Sequence, residues 1–250
     1  MSDRPLMTII IPAYNEAHRL PQTLPRVLRF IEQSAEPLSL IVVDNASTDE
    51  TARIAAEMLE GRPYARLLSQ PIPGKGAAVR KGMLEGDGRY LFICDADLAM
   101  PIEELPRFYP QNLGGDYDVA IASREAPGAH RYHEPWYRHL MGRVFNFIVR
   151  LLAVPGIQDT QCGFKAFRRE VARDLFRVQR INGWAFDVEV LALARRRGYT
   201  ILEVGIPWYY GEGSRVNPIA DSVRMFAEVL RIRRAVRSGL YDEPTAPPAA

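Results

Sequence analysis

Apolar residues along this chain fall into two periods. Four short runs, residues 8–11 (TIII), 40–43 (LIVV), 90–93 (YLFI) and 119–122 (VAIA), are each bounded by turn-forming or charged residues. Residues 17–34 and 48–60, which lie between the first runs, carry apolar positions at helical spacing instead. Short runs that are apolar on both faces and separated by helices predict a mainly parallel central sheet flanked by helices, an α/β fold. Asn45, Ser47 or Thr48 can cap the helix over 48–60. Past Ser123, basic and aromatic residues dominate as far as Arg150, followed by a turn rich in Gly, Gln, Asp and Thr and then a second helix-rich region. Residues 1–240 therefore read as one domain with two halves, about 7–123 and 124–240. The Pro- and Ala-rich residues 241–250 read as a disordered tail.

Composition narrows the class. With 250 residues, 47% hydrophobic and 10% aromatic, the chain can bury roughly three quarters of the surface its unfolded form exposes. Disorder of the whole chain is excluded. Lys and Arg number 32 against 30 Asp and Glu, a net charge of +2. That balance excludes a nucleic-acid protein that neutralises phosphates along its length, so any basic site must be local. The first residues lack the basic and apolar regions of a secretory signal, which predicts a cytoplasmic protein. The longest apolar stretch, residues 144–154, contains Asn146 and Arg150 and is about half the length a membrane span needs.

In a parallel sheet, ligands gather at the carboxyl ends of the strands. Here those ends read PAYNE (12–16), DNASTD (44–49) and CDAD (94–97). Asp95 and Asp97, two residues apart as a buried strand ends, suit a hard divalent cation completed by phosphate oxygens and water. Singly, Asp97 could cap a turn, Glu16 could complement a helix N-terminus and Asp44 could make an Asx-turn. Polar clusters at three successive strand ends are what the turn reading does not explain. Residues 73–76 (PGKG) lack the spacing of a P-loop, and no G-x-G-x-x-G follows a strand, which removes two common nucleotide folds.

Taken in order, TIIIPAYNE, IVVDNASTDET, PGKGAAVRKG, ICDADLAMPIEEL, ASRE, DTQCGFKAFRR, WAFDVEVL and GEGSR resemble the family 2 glycosyltransferases of the GT-A fold. The likeness spans about residues 8–218 and is specifically to dolichyl-phosphate or polyprenyl-phosphate glucosyltransferases and the related mannosyl-phosphate synthases. It implies inverting transfer of a sugar from a nucleotide diphosphate sugar, UDP-glucose favoured over GDP-mannose, to dolichyl or polyprenyl phosphate. By resemblance, Pro12, Tyr14, Glu16, Asp44, Lys75 and Asp95 belong to the nucleotide pocket in the first half, and Asp95 and Asp97 hold Mg²⁺ or Mn²⁺. Asp97, Arg124, Asp159, Lys165 and Arg215 form the catalytic set, and Gln161, Trp184 and Asp187 recognise sugar or orient the cations. The chain departs from the family at four places: Asn45 where relatives carry a second Asp, Ala99 where they often carry Gln, Gln158 in place of Arg, and Cys162 where mannosyl-phosphate relatives have Ser.

A lipid monophosphate, with a second pKa of about 6, needs cations to gather it more than a base to activate it. A soluble hydroxyl acceptor would instead require a carboxylate base, for which Asp159 or Asp187 is available, and a non-catalytic nucleotide-binding paralogue is the remaining class. Residues 124–150 hold five Arg against two Glu among Tyr132, Trp136, Tyr137, Phe145 and Phe147. Residues 136–152 accordingly read as an interfacial helix lying on the cytoplasmic face of a membrane, against the competing reading of a packed core helix.

Overall fold

The computed structural model describes residues 4–133, 135, 142, 143, 146, 149–209 and 220–242, with 220–225 as backbone only. Strands β1 (Met7–Ala13), β2 (Leu38–Asp44), β3 (Ala65–Ser69) and β4 (Tyr90–Ile93) pair in parallel, in the spatial order β3-β2-β1-β4. The sheet continues through β7 (Lys165–Arg168) to β5 (Val119–Ser123) and β8 (Ile201–Gly205). β7 runs antiparallel to both its neighbours, while β5 and β8 are parallel to each other. A separate parallel pair joins β6 (His130–Tyr132) to β9 (Pro207–Tyr209).

Strand side chains alternate between faces, so each apolar run feeds two cores. Ile9, Ile11, Leu40, Val42 and Phe92 pack on one side with Leu20, Leu24 and Val27 of α1 (Leu20–Gln33) and Ala55 of α2 (Thr51–Leu59). Ile10, Ile41, Val43, Leu91 and Ile93 pack on the other with α3 (Lys75–Glu85), α4 (Arg169–Val178), α5 (Phe186–Arg196) and α6 (Ala220–Arg237). This is the expected mainly parallel sheet covered on both faces.

Three details differ from the sequence reading. α1 and α2 begin at 20 and 51, three residues late, because the strand-end residues interlock first: Asn15 N donates to Ser47 Oγ (3.0 Å), Thr48 N to Asn15 Oδ1 (2.8 Å) and Glu16 N to Thr51 Oγ1 (2.7 Å). The expected caps of α2 are therefore committed elsewhere, and Asp49 accepts the Thr51 N–H in their place (3.0 Å). Finally, Tyr241 is buried and Asp242 ion-pairs with Arg196, so the packed chain extends two residues past the boundary expected at 240. Residues 243–250 lie outside the described residues. No described helix is long and apolar enough to cross a membrane.

Candidate active site

Register brings the three clusters to one edge: Ala13 pairs with Asp44, and β4 ends beside β1, with Ile93 opposite Ile10. Pro12 is half-buried in β1, Tyr14 is exposed beyond it, and Glu16 is ion-paired with Arg19. Asp44 is buried with Oδ1 lacking a hydrogen-bond partner among the described residues. Asn45 donates from Nδ2 to the carbonyls of Gln70 (3.2 Å) and Ile72 (2.7 Å) and accepts the Gly74 N–H at Oδ1 (2.8 Å). A carboxylate has no proton with which to satisfy those two carbonyls. Asn45 therefore has a structural purpose that a second Asp could not serve: it pins the loop that leads to Lys75.

Cys94 closes β4, and the next residues turn sharply, Leu98 adopting φ 47°. Asp97 Oδ1 accepts the Ala99 N–H (3.0 Å), and Thr23 on α1 donates its hydroxyl to the Ala96 carbonyl (2.7 Å), between the two aspartates. Burial and the neighbouring Asp95 charge push the Asp97 carboxyl above its ordinary value. Lys75, the first residue of α3, places Nζ 2.6 Å from Asp95 Oδ1 and 5.3 Å from the centre of the exposed Trp184 ring. Burial disfavours the Lys75 ammonium, but Asp95, Asp187 and Asp97 outweigh it and raise its pKa. Two carboxylates against one ammonium leave negative charge uncompensated at this strand end. Among the described residues there is no group of three His, Cys, Asp or Glu placed to hold a metal by itself. Asp95 and Asp97 thus fit a cation whose remaining ligands are phosphate and water.

The second half meets this edge directly. A Cβ on Gly163 would lie 2.1 Å from Asp95 Oδ2, so the DTQCGFK segment lies against the Asp95 carboxylate and a larger residue at 163 would push that carboxylate aside. Within that segment Asp159 is fully buried and takes Arg124 through Nε (2.6 Å), Nη2 (2.9 Å) and the backbone N–H (3.1 Å). Burial alone would raise the Asp159 carboxyl, yet Arg124 and Lys165 hold it down to about 2. Arg124 also lies 5.3 Å from the Trp208 ring centre, which Arg131 approaches at 6.0 Å. Lys165 is 2% exposed and reaches Asp187 Oδ1 at 2.8 Å and the Cys162 carbonyl. The Asp187 carboxyl is raised by burial, which Lys165 and Lys75 only partly offset. Gln161 donates its backbone N–H to Asp159 Oδ1 (3.3 Å).

Two departures gain an explanation here. Burial pushes the Cys162 thiol up to about 12, and its sulfur contacts Met100 Sδ at 3.3 Å, so it behaves as a packed apolar group. At Gln158 a guanidinium does arrive, but from Arg150, which donates to Gln158 Oε1 at 2.7 Å. The remaining catalytic candidate, Arg215, lies outside the described residues, as do Trp136, Arg138 and most of the 136–148 stretch. Sequence reasoning passed over Thr23, Asn45, Gly163 and Arg150 as site-shaping residues. Of these, Asn45 and Gly163 lie inside named motifs and carried a signal, while Thr23 did not.

Comparison with solved structures gives this architecture its class. Glucosyl-3-phosphoglycerate synthase from Mycobacterium tuberculosis, solved with UDP, superposes with a TM-score of 0.66 at 20% identity, covering 97% of this chain and 82% of its own. The same enzyme with Mn²⁺, UDP-glucose and phosphoglyceric acid gives 0.63 at 19%, covering 97% and 81%. The fold is therefore GT-A, that of glycosyltransferases. Among curated relatives, the dolichyl-phosphate beta-glucosyltransferase of Dictyostelium discoideum is 34% identical over 96% of this chain and 77% of its own length. The human protein of that name is 32% identical over 94% and 77%. The profile of glycosyl transferase family 2 matches residues 8–176, and the chain belongs to that family.

Proposed function

We propose that this glycosyltransferase moves glucose from UDP-glucose to dolichyl or polyprenyl phosphate with inversion at the anomeric carbon. The observation that carries the reading is the contact of the two charged clusters at one sheet edge. There Asp95, Asp97 and Lys75 lie against the segment bearing Asp159, Lys165 and the Arg124 ion pair. The named relatives supply the sugar and the acceptor class.

In this reading Asp95 and Asp97 hold Mg²⁺ or Mn²⁺, which when bound neutralises charge that builds on the departing diphosphate. Lys75 supplies a further positive group at the same edge. Asp44, with a buried acceptor lacking a donor among the described residues, meets an N–H or O–H of the base or ribose. Arg124 and Lys165, preset by Asp159 and Asp187, gather the acceptor phosphate, whose own oxygen attacks as the bond to the diphosphate breaks. A carboxylate held to about 2 is a poor proton acceptor at neutral pH. That weakens Asp159 as the base a soluble hydroxyl acceptor would need, and Asp187, the other carboxylate available, is engaged by Lys165 at 2.8 Å.

Peripheral docking on the cytoplasmic face is part of the same proposal. Support comes from the described ends of the 136–152 stretch, where Leu151 is 69% exposed and the Arg143 side chain is exposed while Asn146 and Val149 turn inward. One assay covers donor, acceptor and surface: labelled UDP-glucose or GDP-mannose, with Mn²⁺ or Mg²⁺, offered a polyprenyl phosphate in anionic liposomes at rising salt. The expected product is glucosyl lipid from UDP-glucose, with protein sedimenting with the vesicles at low salt only. Transfer from GDP-mannose alone, or to soluble sugars alone, would overturn the reading.

A further inference from the structure

Glu189 on α5 is fully buried, and both its oxygens are engaged by other parts of the chain. Oε1 accepts the Arg180 N–H (2.9 Å) and the Tyr241 hydroxyl (2.6 Å), and Oε2 accepts the Ile181 N–H (2.9 Å). Tyr241 is 4% exposed, and its ring lies 5.9 Å from the Arg180 guanidinium. Arg180 Nη2 also donates to the Leu240 carbonyl (3.3 Å), and Arg197 Nη2 to that of Tyr241 (3.0 Å). Residues 180 and 181 are thus suspended between α5 and the chain that follows α6.

The other side of this loop touches the turn that carries Lys75. Ala77 N donates to the Asn182 carbonyl (3.3 Å), and Gln179 Nε2 donates to the Gly76 carbonyl (3.1 Å). A Cβ on Gly74 would lie 2.2 Å from Asn182 O, and one on Gly76 would lie 2.4 Å from Ile181 O. Backbone meets backbone there without space for a methyl group, so movement of residues 180–182 must displace residues 74–77. Those residues aim Lys75 at Asp95, and the same loop runs on into Trp184.

We infer that Tyr241, acting through Glu189, is a positioning residue for the donor side of the site. The C-terminal residues 240–242 latch the 179–182 loop against the Gly74–Gly76 turn and so set Lys75 and Trp184 before ligand arrives. Gln179 and Tyr241 lie beyond the residues 8–176 that match the family, while Glu189 falls within the WAFDVEVL stretch. The inference rests on the proposed function only in taking Lys75 and Asp95 as the donor edge.

Tyr241→Phe tests it, because the ring keeps its packing and only the hydroxyl is lost. Glu189→Gln is the second variant: whichever way the amide turns, its NH₂ faces one of the two backbone N–H groups. Hydrogen exchange without ligand reads the coupling directly. Amides of 74–78 and 180–182 should exchange at least about tenfold faster in both variants, with those of 119–123 and 165–168 unchanged. Titration with UDP and Mn²⁺ should show about tenfold weaker binding. In turnover, the KM for the donor should rise with kcat and the KM for the lipid phosphate nearly constant. Faster exchange spread evenly over the sheet, or none at 74–78, would overturn the latch whatever the substrate. Faster exchange confined to 74–78 and 180–182, in a protein whose wild type does not bind UDP, would uphold the latch and remove the donor assignment instead.

Discussion

The two halves of the site handle charge in opposite ways. At the ends of β1, β2 and β4, Asp95 and Asp97 share one ammonium, and Asp97 is raised by burial beside a like charge. At the ends of β5 and β7, each cation has its own carboxylate, Arg124 with Asp159 and Lys165 with Asp187, and both carboxylates are buried. The first edge is built short of positive charge and is completed by what binds there. The second is neutral as it stands, so its cations are fixed in place by partners with which, under the proposed function, a phosphate has to compete. Loss of a charged group should therefore remove function at the first edge and stability at the second.

The largest effect is expected at Lys165. Lys165→Ala leaves Asp187 buried without its partner, which should cost about 3–5 kcal/mol in urea unfolding. Adding Asp187→Ala should return part of that loss. A change below about 1 kcal/mol, the range of exposed pairs, would break the comparison.

Asp97→Ala should do the reverse. Transfer with Mn²⁺ or Mg²⁺ should fall by about a hundredfold or more, near 2.7 kcal/mol in barrier. The melting temperature should hold or rise, because the variant removes a like charge from beside Asp95. Retention of normal turnover at millimolar metal would dissolve the distinction between the edges.

The smallest effect sharpens the second edge by pH. Asp159 falls from an ordinary 3.8 to about 2 in the folded chain, equivalent to roughly 2 kcal/mol. Because the folded-state value is depressed, that stabilisation is present above about pH 4 and is lost as pH falls towards 2. Unfolding measured between pH 5 and 2 should lose about that much more stability in the wild type than in Asp159→Asn, whose side chain does not titrate. Parallel curves would mean that Arg124 does not hold this carboxylate.

Legibility in the sequence followed the range of the interaction. Residues 8–11, 40–43, 90–93 and 119–122 were readable as strands because two-sided burial forces continuous apolar runs, and their ends pointed to Asp44, Asp95 and Asp97. β7 was not, since KAFR is short and half charged and becomes a strand only through pairing between β4 and β5. The caps of α2 were misread because Ser47 and Asn45 have local caps within reach but better partners across the sheet edge, at Asn15 and in the 70–74 loop. Thr23 was invisible for the same reason: a threonine on an amphipathic helix says nothing about a carbonyl 73 residues away.

By itself, then, the sequence determined the layered sheet, the edge at which chemistry gathers and the acidic pair that marks it, because backbone periodicity and strand-end position are local consequences of residue order. Only the tertiary structure decided which donor answers which carboxylate: Lys75 with Asp95, Arg124 with Asp159, Lys165 with Asp187, and the Tyr241 hydroxyl with Glu189 behind them. Long polar side chains have many candidate partners in a chain with 32 basic and 30 acidic residues. The choice among them is made by which element ends the folded sheet brings within about 3 Å and by burial that leaves no water to compete.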